Sequence, residues 1–91
     1  ELFAMLLAEL PQQREQLIRA FRAADWTSLR EIAHKLRGSA AYCQVQELEQ
    51  AAADLEAASP TARHADIETA QRRCVEIIDD LLLTAAAESG E

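Results

Sequence analysis

The chain has 91 residues, 49% of them apolar, and nine Lys and Arg against sixteen Asp and Glu give it a formal net charge of −7. That length fits one small core and leaves no room for a second. The acidic balance argues against nucleic acid or an anionic membrane surface as the main partner, because both reward basic patches. With only two glycines and two prolines among many Ala, Leu, Glu, Gln and Arg residues, the composition reads as all-α. No stretch is apolar enough to span a bilayer, and no charged segment precedes an apolar one as in a signal peptide. The chain starts at Glu1 rather than Met, so it reads as a domain excised from a longer protein.

In chain order, Glu1 to Glu9 reads as a short first helix ending near Leu10-Pro11. Its residues Leu2, Phe3, Leu6 and Leu7 either pack on the bundle or are partly exposed. Pro11 suits the first turn of a second helix, where its missing N–H is not needed. That helix carries Leu17, Ile18 and Phe21 and runs to about Ala24. Asp25-Trp26-Thr27-Ser28 is the next break, with Asp25 as one cap and Ser28 with Glu31 at capping-box spacing as another. Trp26 reads as a core plug between helices. The third helix continues to about Cys43 with a stripe of Leu29, Ile32, Leu36, Ala40 and Cys43, all within about 60° of Leu29 at 100° per residue.

After Gln44-Val45-Gln46 the apolar phase shifts, and Val45, Leu48, Ala52 and Leu55 define a fourth helix ending near Ala58. Ser59 then reads as the N-cap of the last helix and Pro60 as its first residue. This helix carries Ile67, Ala70, Cys74, Ile77, Ile78, Leu81 and Leu82, and the tail 88–91 is expected to fray. The elements predict an antiparallel up-and-down four-helix bundle with a short additional N-terminal helix. Cys43 and Cys74 lack CxxC or metal-type spacing and read as reduced, buried thiols of a cytoplasmic protein.

His34 is the residue that this frame cannot bury. It points about 140° from the stripe of its own helix, and its neighbours one and two turns on are Gly38 and Ala41. A glycine inside a helix costs roughly 0.5–1 kcal/mol against alanine, so Gly38 beside an outward histidine implies access by another macromolecule. Neutral imidazole is a nucleophile, and Arg30, Lys35 and Arg37 would attract an anion to it. Glu31 could accept a hydrogen bond from a ring nitrogen, but it reads first as a solvated surface carboxylate. By contrast, His64 reads as a solvated first-turn residue, and Glu47, Glu49, Asp54 and Glu56 read as an ordinary solvated face. Metal binding by His34, His64, Cys43 and Cys74 fails on placement, since Cys43 faces the core and His34 faces away.

Ala33-His34-Lys35-Leu36-Arg37-Gly38-Ser39-Ala40 resembles the signature of histidine-containing phosphotransfer domains, most closely the C-terminal one of bacterial hybrid sensor kinases. The likeness extends to Asp25-Trp26, Ala41, Leu48-Glu49 and the long last helix, and it departs at Gln44, where many members carry glycine. The resemblance implies that His34 accepts a phosphoryl group from an aspartyl phosphate and passes it on. Lys35 and Arg37 would be its basic neighbours, with Gly38 giving access. It implies receiver domains of the parent kinase and of a response regulator as partners, and a monomeric domain. It also implies no cofactor of the chain's own, with Mg²⁺ on the receiver, and a cytoplasmic location with a parent anchored in the inner membrane. A built-in kinase is excluded, because no phosphate-cradling glycine loop exists. Two other readings remain: a helical module that binds a receiver or regulator without transferring anything, and a hydrolase using His34 as general base. The second would need a nucleophile and an orienting carboxylate converging in a pocket.

Overall fold

In the computed structural model, which describes residues 2–89 and the side chains of 3–88, the chain folds into four helices. These are α1 (Leu2–Arg22), α2 (Trp26–Tyr42), α3 (Gln46–Ala58) and α4 (His64–Ser89), with one 3₁₀ turn, Ser59–Thr61, ahead of α4. Helix α1 packs on α2, α2 on α3, α3 on α4 and α4 back on α1, which closes an antiparallel bundle 43 × 22 × 16 Å in extent.

The short N-terminal helix expected from Pro11 is not a separate element: α1 runs unbroken from Leu2 to Arg22 with Pro11 inside it. Leu6, Leu10, Leu17 and Ala20 are all buried, so the apolar stripe passes the proline without changing phase. Proline costs a helix interior about 3 kcal/mol, and burying two leucines contributes a comparable amount in favour. Pro11 itself is exposed, so solvent can reach the backbone around it. Of the other N-terminal apolar residues, Leu7 is half-buried, whereas Phe3 and Met5 are exposed.

Both ends of α2 are fixed locally. Asp25 is the cap: its carboxylate accepts from the Ser28 backbone N–H at 3.2 Å and from the Ser28 hydroxyl at 2.7 Å. The Ser28 hydroxyl, and after it the backbone N–H, hold the Asp25 carboxyl below its usual range. At the other end Gln44 adopts φ 61, the Val45 N–H donates to the Ala40 carbonyl at 2.9 Å, and the Gln44 N–H donates to the Ala41 carbonyl at 3.1 Å. This is the Schellman ending that normally takes glycine. Gln44 therefore forms the same helix stop at a backbone cost of roughly 1–2 kcal/mol.

Within α2 the buried residues are Leu29, Ala33, Leu36 and Ala40, while Ile32 and, just past the helix end, Cys43 are half-buried at the stripe's edge. They meet Leu48, Ala51, Ala52 and Leu55 of α3. Small residues on both sides let the two helices approach closely. Ser59 does not cap α4; its buried hydroxyl donates back to the Leu55 carbonyl at 2.8 Å and ends α3. Helix α4 buries Ile67, Gln71, Cys74, Ile77 and Ile78. Burial pushes the Cys74 thiol up to about 12, which makes it inert. The helix continues through Glu88 to Ser89; Gly90 and Glu91, the rest of the expected fraying tail, lie outside the described residues.

Candidate functional site

His34 stands in the middle of α2, directly after the fully buried Ala33, and its side chain is 71% exposed. A buried alanine fixes the helix against the core while the next residue faces outward, so the rigid helix presents the ring to solvent. Gly38, one turn on, is exposed, and a Cβ built there would have nothing within 4 Å. No part of the chain's own packing requires the missing side chain. Its effect is to clear space beside His34, and the exposed Ala41 extends that clearing by another turn.

The two flanks of the ring differ. Toward α3, the His34 Nδ1–H donates to Glu56 Oε2 at 2.8 Å, and Arg37 Nη1 donates to Glu56 Oε1 at 3.0 Å. Both oxygens of one carboxylate are thus occupied, and the Glu56 side chain is only 17% exposed. The bond from Arg37, and after it the bond from His34, hold the Glu56 carboxyl below its usual range. An ionised carboxylate only accepts hydrogen bonds, so Nδ1 carries the proton and, in the neutral ring, Nε2 carries the lone pair. Toward α1, Lys35 and Gly38 line a shallow groove with Gln12, Gln13 and Gln16. Arg30 lies with Glu31, His34 and Glu56 along a second groove that runs toward Pro60.

The residues singled out from the sequence therefore occupy one surface of α2: His34, Arg30, Lys35, Arg37, Gly38 and Ala41 are all exposed. The acceptor for the ring N–H is Glu56, not Glu31, and Glu56 is no ordinary solvated residue. Its signal lay in the hairpin. His34 and Glu56 stand ten and twelve residues either side of Gln44, so antiparallel pairing of α2 with α3 brings them level. His64 is an exposed first-turn residue, as expected, and opens α4, but its ring also packs: its centroid lies 5.1 Å from Phe21 and 6.2 Å from Trp26. Trp26 is itself 5.9 Å from Phe21 and packs against the core, as a plug between helices should.

Among the described residues no group of three or more His, Cys, Asp or Glu is arranged to hold a metal ion. None of their helices is long and apolar enough to cross a membrane. Against known families, the model of the Hpt domain matches residues 1–88 of the chain. The chain belongs to the Hpt domain family. No curated protein and no solved structure matches it significantly. As an Hpt domain it is a histidine phosphotransfer module of two-component signalling, without kinase activity of its own. The partners of such a module are receiver domains of response regulators or kinases. The four-helix bundle of this Hpt domain holds His34 of α2 exposed to solvent.

Proposed function

We propose that this Hpt domain is a phosphorelay intermediate in which His34 takes a phosphoryl group from the aspartyl phosphate of one receiver and delivers it to a second. The first receiver is assigned to a parent hybrid kinase and the second to a response regulator. The observation that carries the reading is the hydrogen bond from His34 Nδ1 to Glu56. It leaves Nε2 as the nucleophilic atom on a ring that is largely open to solvent.

In the forward step the Nε2 lone pair attacks phosphorus, the P–Nε2 bond forms and the bond from phosphorus to the aspartyl oxygen breaks. The aspartate leaves as a carboxylate. The Nδ1 proton stays on the ring, whose formal positive charge faces the Glu56 carboxylate. The reverse step passes the group to the next aspartate. Holding the ring in one orientation removes part of the entropic cost of attack, and Lys35, Arg37 and Arg30 offset the phosphoryl charge. Gly38 and Ala41 leave room for the partner's surface. Docking is transient, because the same face must exchange donor for acceptor, and the domain acts as a monomer. The divalent cation and the aspartate belong to the receiver.

The test is incubation with a phosphorylated receiver, following acid-labile, alkali-stable phosphate on the chain. The wild type acquires label and His34→Gln does not. Label that persists in His34→Gln overturns the assignment.

A further inference from the structure

Among the described residues, Arg37 is the one cation near His34 that already has an anionic partner within the site. In the resting protein its guanidinium donates to Glu56 Oε1 at 3.0 Å, while His34 Nδ1 donates to the other oxygen at 2.8 Å. One carboxylate thus holds both the ring that would be phosphorylated and the arginine three residues on. Residues three apart on a helix are neighbours, so Arg37 and His34 share one patch of the α2 surface.

We infer that Arg37 is a hand-over cation: Glu56 holds it until His34 is phosphorylated, and it then moves to the phosphoryl group. This rests on His34 being the phosphorylated residue, and the charges give its direction. Before transfer the site holds one carboxylate, one guanidinium and a neutral ring. Afterwards it holds a dianionic phosphoryl group and a ring bearing a formal positive charge. The phosphoryl oxygens offer the guanidinium more charge than Glu56 does, in a geometry suited to its planar fork. The ring, now cationic, takes over the Glu56 carboxylate through the Nδ1–H bond it already makes. No proton, electron or co-reactant is needed beyond the transfer itself; one ion pair between α2 and α3 is exchanged for two within the loaded site. The Arg37 side chain is half-exposed. Glu56 is then a positioning residue with two states, and the α2–α3 pairing reports whether the histidine is loaded.

The test uses ¹⁵N-labelled wild type and Glu56→Gln, with and without phosphoramidate, which donates a phosphoryl group without a protein partner. Glu56→Gln should shift the Arg37 side-chain signals in the resting protein. Phosphorylation should shift them in the wild type and abolish the difference between the two proteins. In parallel, phosphohistidine should hydrolyse about threefold to tenfold faster in Arg37→Gln than in Arg37→Lys, which keeps the charge. Arg37 signals that stay unchanged while the His34 ring carries phosphorus overturn the hand-over and leave the phosphotransfer reading standing, as do equal hydrolysis rates in the two variants. Absence of phosphate from His34 under every donor overturns both.

Discussion

The two histidines of this domain occupy opposite kinds of place. His34 stands mid-helix with its ring in solvent, a carboxylate behind Nδ1 and three cations on the same helix. His64 opens α4 with its ring against Phe21 and Trp26, where it helps close the end of the bundle. Both residues are exposed overall, so exposure alone does not separate them. What separates them is what the ring touches: one is oriented by an anion, the other is held by aromatic faces. The first arrangement suits a nucleophile and the second suits a packing element.

The largest expected effect follows from that contrast. His34→Gln loses all transferable label, whereas His64→Gln retains it, and transfer that depends on His64 would erase the distinction. Access comes next. A bulky residue at Gly38, such as leucine, should slow phosphotransfer from a receiver by an order of magnitude or more, since misplacing the reacting groups by about an ångström costs that much. The same variant should accept phosphate from phosphoramidate at nearly the wild-type rate. Its fold should be stabilised by roughly 0.5–1 kcal/mol, as glycine is a poor helix former and a Cβ meets nothing there. Equal slowing with both donors would mean that Gly38 shapes the ring rather than the approach.

How far these features are legible in the sequence depends on the range of the interaction that makes them. The α2 stripe, the Asp25 cap and the outward direction of His34 follow from residues within a turn or two of one another. Glu56 does not, because its role arises only when α3 folds back along α2. Pro11 misled for a related reason: a local breaker signal was outweighed by Leu6 and Leu10, whose burial depends on the whole bundle. Ser59 carries the right side chain for a cap but turns back to the Leu55 carbonyl, and the 3₁₀ turn then delays α4 to His64. That delay is also what sets His64 against Phe21 and Trp26. At Gln44 the departure from glycine left the helix ending unchanged, because a left-handed residue with a side chain still makes the Schellman bonds.

Two smaller effects sharpen the comparison. His64→Ala should cost the fold about 1 kcal/mol through lost ring contacts, read as a lower thermal midpoint. Transfer should be unaffected. On the other side, Glu56 ionises in the folded protein below its ordinary value of 4.5. Its contribution to stability is therefore fully present above that value and is lost as pH falls through the depressed folded one. The midpoint difference between wild type and Glu56→Gln should shrink as pH is lowered below about 4.5. A difference that persists to the acid limit would show that the Glu56 charge contributes nothing.

The most direct view of the His34 ring chemistry is the two-bond ¹H–¹⁵N spectrum of the labelled domain before and after phosphorylation by its receiver. It resolves the four ring nitrogens of His34 and His64 in one sample. In the resting protein His34 should hold its proton on Nδ1, and after transfer phosphorus should be attached to His34 Nε2 while the His64 ring is unchanged. Phosphorus on His34 Nδ1, or on either nitrogen of His64, would contradict the assignment.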